Sequence, residues 1–198
     1  TPRVSRRPLA DLGSAFTSID HCYLSGLHVV IAQVVAPNAT DPYGLWSAIF
    51  DEATGALIRG WEQIAGSATQ FVPRVFACGS TTAVLVYARS TTVITARTIT
   101  LSSANPSWSA GTDIATDLGA TRPMLDAQPV FGHANRFFLA YVSSTGPNGQ
   151  LTWAIWNYTN LAAAVATASF VDATGVTPDL ELDGYGVGVH ATDGDSQF

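Results

Sequence analysis

Lysine is absent from this 198-residue chain, and all nine of its cationic side chains are arginine. Charged residues make up 12% of it, about half the ~25% usual in a soluble domain. Ser, Thr, Asn, Gln and Gly must therefore cover much of the surface. The only basic run is Arg3, Arg6 and Arg7, and the net charge is −6, so nucleic acid, which needs a phosphate-neutralising patch, is not an expected partner. No stretch approaches the ~18 uninterrupted apolar residues of a helical membrane span, and no charged-then-apolar leader precedes the first strand. Two cysteines are too few for a disulfide framework or a zinc site. Cys22 and Cys78 lie four and one residues before Gly26 and Gly79. These opposite alternation phases predict two buried free thiols on opposite sheet faces.

What the chain does have is a repeat. Gly26, Gly79, Gly132 and Gly184 are 53, 53 and 52 residues apart. Asp11-Leu12-Gly13 matches Asp117-Leu118-Gly119 at an offset of 106, and at the same offset Ile19-Asp20 matches Leu125-Asp126. A period near fifty carried by β-rich sequence points to a radial or stacked architecture.

Each unit reads as four strands. The first alternates, with Val75 and Ala77 in one copy and Leu180 and Leu182 between Asp179, Glu181 and Asp183 in another; period two means strand. The second, as in Ala83 to Tyr87 or Phe137 to Tyr141, is continuously apolar, which suits burial on both faces. The third shares Ala48, Ala96 and Ala154. Pro73, Pro129 and Pro178 all fall in or at the start of first strands. Proline cannot donate to a ladder, so the first strand should be an edge. Four-stranded meanders with that edge innermost are the blades of a β-propeller.

The expected fold is therefore all-β, a propeller of four-stranded antiparallel blades with about three and a half blades present, as a partial ring of a longer chain. Residues 1–12 read as an arm and an orphan outer strand, 19–64 as blade one, 71–118 as blade two, 125–171 as blade three, and 176–198 as the start of blade four. The loops 37–42 and 145–149, between second and third strands, are longer than their counterpart at Ser90-Thr91. Recognition is commonly placed on such loops.

Chemistry is harder to find. Asp20 and Asp126 share a repeat position, and paired carboxylates can perform acid and base steps on a glycosidic bond; Glu181 and Asp183 are further candidates. The intervening position in the second copy is Pro73, and turn capping is the more ordinary role of a repeated Asp. His21, His28, His133 and His190 are scattered without metal-ligand spacing, and there is no phosphate loop or nucleophile elbow. No cofactor and no metal are expected. Four of the five tryptophans fit core packing, while Trp108, after Asn105-Pro106-Ser107, is the candidate for an exposed one.

The strand-plus-glycine units, such as Phe71 to Gly79, Ala83 to Tyr87 and Thr92 to Leu101, resemble the sialidase-like or generic β-propeller modules of bacteriophage tail and fibre proteins. The sialidase Ser-x-Asp-x-Gly-x-Thr-Trp turn and arginine triad are absent, Arg74 being the only first-strand arginine. The resemblance implies a non-catalytic structural or attachment module of a virion. Its implied partners are other tail proteins in a symmetric oligomer and a host-surface glycan. The alternative is the propeller of an extracellular carbohydrate-active or carbohydrate-binding protein.

Overall fold

The computed structural model describes residues 15–36, 43–66, 71–101, 106–119, 124–144 and 150–170. They form β1 (Ala15–Leu24), β2 (Leu27–Ala36), β3 (Gly44–Asp51), β4 (Leu57–Ala65), β5 (Phe71–Ala77), β6 (Thr82–Ala88), β7 (Ile94–Thr100), β8 (Thr112–Ala115), β9 (Leu125–Pro129), β10 (Arg136–Ser143), β11 (Gln150–Asn157) and β12 (Ala166–Phe170). No helix occurs among the described residues. The strands make three four-stranded antiparallel sheets, each in sequential order. The orphan strand at 7–12, the fourth copy with Pro178, Glu181, Asp183 and Gly184, and the loops 37–42 and 145–149 lie outside the described residues.

The hairpin glycines behave as the repeat predicts. Gly26, Gly79 and Gly132 have φ of 78°, 83° and 73°, a region that costs an L side chain. Ser25 also has positive φ, at 53°, so Ser25-Gly26 has the backbone signs of a type I′ turn. The loops around the glycines nevertheless differ in length. The last strand pairs are Leu24↔Leu27, Ala77↔Ala83 and Pro129↔Phe137, enclosing two, five and seven residues.

The proline rule also holds. β1, β5 and β9 are sheet edges; Pro129 ends β9, and Pro73 sits in a register irregularity between Phe71 and Arg74. At that irregularity Val72 takes φ of 49°, so the bulge removes Pro73 from the ladder. Leu118, expected to end the fourth strand of the second unit, has instead left that sheet and bridges Ser143 of β10.

β6 shows why its sequence is apolar throughout. Its residues are all buried. Ala83, Leu85 and Tyr87 pack with Val29, Ile31, Leu45 and Ile49 of the first sheet. Val84, Val86 and Ala88 pack with Leu125, Phe137, Leu139 and Tyr141 of the third. The second sheet is thus sandwiched between two cores, and each large side chain removed from water in them contributes roughly 1.5–3 kcal/mol. Between sheets, the most extensive contacts are those of β1 with β5 and of β5 with β9, and every other substantial contact involves β2 or β6. The first strands therefore lie side by side, with the third and fourth strands spread away from them.

Candidate functional site

Counting from the glycines places Pro73 opposite Asp20 and Asp126, and the packing overturns that equivalence. Cys22 and Leu24, in phase with Asp20 along β1, enter the core between sheets one and two. Phe76 and Cys78, in phase with Arg74, enter the core between sheets two and three. Leu125 and Ala127 point back to sheet two, so Asp126 between them points the other way. The residues in the equivalent phase of the three first strands are therefore Asp20, Arg74 and Asp126. Hairpins of unequal length let the glycine keep its spacing while β5 moves by one place.

These three charged residues meet on β5. Asp20 Oδ2 accepts the Val75 N–H at 2.7 Å, and its Oδ1 accepts the His21 N–H at 2.9 Å. Arg74 Nε donates to Asp126 Oδ1 at 2.8 Å, with the two side chains 26% and 17% exposed. Arg74 Nη1 also donates to the Pro73 carbonyl at 3.3 Å. The two candidate carboxylates thus hold consecutive residues of one strand instead of facing each other across an opening. A glycosidic acid–base pair needs the second arrangement. Glu181 lies outside the described residues.

The thiols are free and buried, as expected. The expectation of opposite faces fails, because Cys22 and Cys78 both point toward the following sheet, in two different cores. Burial pushes the Cys22 thiol up to about 12, with a further rise from the Asp20 carboxylate, and burial pushes Cys78 to about 11. Neither is a nucleophile near neutral pH. Among the described residues no group of three His, Cys, Asp or Glu could hold a metal ion.

Trp108 is not the exposed tryptophan expected; it is half-buried against the core between sheets one and two. Trp156 is buried, and Trp153 stacks on Phe138 with ring centroids 5.8 Å apart.

The exposed rings lie elsewhere. At the hairpin end, Ser25 Oγ donates to the Ser80 carbonyl at 2.6 Å, and Cys78 Sγ approaches the Ala134 carbonyl at 3.6 Å, so successive hairpins touch. Phe131, on the third of these hairpins, is 72% exposed, and Tyr23, beside the first, is 51% exposed. The histidines are less scattered than their spacing suggests. His28 lies 5.8 Å from His21 and 5.6 Å from Tyr23, ring centre to ring centre, while His133 is exposed on the third hairpin and His190 lies outside the described residues. The signal for this cluster was present: a two-residue turn at Ser25-Gly26 forces Tyr23 opposite His28.

No protein-family model and no curated protein matches the sequence. Among solved structures, the catalytic domain of a GH62 α-L-arabinofuranosidase from Coprinopsis cinerea is 14% identical over 79% of this chain and 67% of its own, with a TM-score of 0.31. The α-L-arabinofuranosidase PaAbf62A from Podospora anserina, solved with cellotriose, is 12% identical over 78% of this chain and 66% of its own, with a TM-score of 0.32. A GH62 hydrolase solved with xylotriose is 10% identical over 79% and 70%, with a TM-score of 0.34. The chain spans about two thirds of the length of these structures.

Proposed function

We propose that the three sheets are consecutive blades of a β-propeller, and that the chain is the binding module of an extracellular carbohydrate-binding protein. In this reading the described carboxylates do structural work and perform no acid–base chemistry. The observation that supports it most is the pair of exposed rings, Phe131 and Tyr23, on an end where touching hairpins form a rigid surface. Ring faces suit the apolar C–H faces of sugars, and a fixed scaffold lowers the entropy lost on binding. The engagement of Asp20 and Asp126 with β5 is consistent with binding without cleavage.

Attachment within a virion is a narrower form of the same activity, in which the glycan belongs to a host surface. A symmetric assembly would add avidity to weak single contacts. The test is affinity electrophoresis of the purified chain through soluble polysaccharides, run beside a reducing-sugar assay. Retardation without sugar release is the expected result; hydrolysis lost on Asp126→Asn in a variant that melts like the wild type would overturn the non-catalytic reading.

A further inference from the structure

We infer that residues 178–184, in the fourth copy of the repeat, pack as an edge strand on the face of the third sheet turned away from the second, where Asp126 accepts the Leu180 N–H. This rests on the blade reading and is independent of what the chain binds. Pro178 to Gly184 matches Pro73 to Gly79 without a gap, so Leu180 and Leu182 stand where Val75 and Ala77 do. Val75 and Ala77 enter the core that the second sheet shares with the first. Asp20 of the first sheet accepts the Val75 N–H at 2.7 Å, giving a partner to a donor on an edge strand. Asp126 holds the position of Asp20 two sheets on. The row Asp20, Ile31 and Ser47 across the first sheet becomes Asp126, Ala140 and Trp153 across the third. The next row, Cys22, Val29 and Ile49, becomes Gln128, Phe138 and Ile155.

The receiving face is apolar and buried at its centre. Phe138 is 8% exposed and Ala140 3%. The only described strands of other sheets in substantial contact with the third sheet are β5 and β6, and the core they build with it is on its other face. Gln128, in phase with Asp126, buries its Nε2 without a hydrogen-bond partner among the described residues. A buried donor calls for an acceptor, and a strand laid on this face brings its backbone carbonyls. The connection is also of the right length. Five residues (66–70) join β4 to β5 and nine (116–124) join β8 to β9, while seven (171–177) lie between β12 and Pro178. Both described connections lead from the fourth strand of one sheet to the first strand of the next. Asp179, Glu181 and Asp183, in the opposite phase to the leucines, then face away from the third sheet.

Hydrogen exchange on the full chain tests this residue by residue. The Leu180 amide should exchange about a hundredfold or more slower than in an unfolded chain. Asp126→Ala should remove about tenfold or more of that protection, the scale of one hydrogen bond to a charged acceptor. Asp20→Ala should do the same at Val75, which serves as the reference. Urea unfolding of Phe138→Ala, Leu180→Ala and the double variant is the second measurement, and it decides alone should Asp126→Ala not fold. The double effect on the folding constant should differ by about threefold or more from the product of the single effects. A Leu180 amide exchanging as in an unfolded chain, or effects of Phe138 and Leu180 that simply multiply, would overturn the proposal and leave the three described blades standing. If Val75 protection were also indifferent to Asp20, the blade reading would fall with it. A light-scattering mass of two copies that Phe138→Asp reduces to one would overturn the proposal too, by giving this face to a second copy.

Discussion

Arg74 of β5 donates to Asp126 of β9 at 2.8 Å, while the next residue, Val75, donates its backbone N–H to Asp20 of β1 at 2.7 Å. One short edge strand is therefore held from both sides by carboxylates of its two neighbours. Arg74→Met or Asp126→Asn should each destabilise the fold by about 1–2 kcal/mol. This is less than breaking a fully buried pair costs, since both side chains still meet water. Urea denaturation of the two single variants and the double variant would measure it, and a coupling energy indistinguishable from zero would show that the pair does not join the sheets.

The three hairpin glycines should respond unequally to alanine. A Cβ at Gly26 or Gly132 meets nothing within 4 Å, so only the left-handed backbone opposes it, at roughly 1 kcal/mol. At Gly79 the added carbon comes within 3.2 Å of the Ala134 carbonyl of the neighbouring hairpin, and the loss should be larger. Gly44, with φ of 136°, is the most constrained: its Cβ would collide with the Ala65 carbonyl. Gly44→Ala should cost about 3 kcal/mol or more, by overpacking against backbone in a strained conformation. Urea midpoints ranking Gly26→Ala below Gly79→Ala would contradict this ordering.

How far the sequence discloses these features depends on the range over which each is decided. The hairpin glycines and edge prolines are local, because a left-handed turn or a missing N–H constrains the residue where it occurs, and both were legible. The doubly buried β6 was legible too, since a strand between two cores needs apolar residues in both phases. Arg74 as the partner of Asp126 was not, because it depends on hairpins of two, five and seven residues changing the strand phase beneath a constant glycine spacing. Gly44 carries no repeat signal, its need arising from the approach of Ala65 twenty-one residues later. The Asp126, Ala140 and Trp153 row is a cross-strand relation among residues up to 27 positions apart, so only the strand register reveals it.

Tyr141 should act as a latch between the second and third sheets. Its hydroxyl donates to Asp117 Oδ1 at 2.9 Å, and Leu118, next in sequence, bridges Ser143. Tyr141→Phe removes the hydroxyl while leaving the ring in its core, so the loss should be about 1 kcal/mol, the net value of one hydrogen bond, with a further cost if Asp117 loses solvation. Tyr141→Ala should cost about 3 kcal/mol or more by opening a cavity. Equal melting temperatures for Tyr141→Phe and wild type would show that the ring alone accounts for the residue's contribution.

The buried thiols predict how stability falls in alkali. Cys22 is raised from its ordinary 9.0 to about 12 and Cys78 to about 11, in both cases chiefly by burial, and Tyr141 is raised for the same reason with help from Asp117. Above pH 9 the unfolded chain begins to release thiol protons that the folded chain retains. The unfolded state then binds fewer protons than the native one, and stability declines as pH rises. The loss should set in near pH 9 and flatten as the folded thiols themselves ionise toward pH 11–12. The cysteine share should vanish from a Cys22→Ala, Cys78→Ala double variant, leaving the later decline that Tyr141 contributes. A thiol reagent at pH 8 should label neither cysteine in the native chain and both after unfolding. Rapid native labelling of Cys78, or a stability profile flat from pH 9 to 11, would mean that these sulfurs are not enclosed between the sheets.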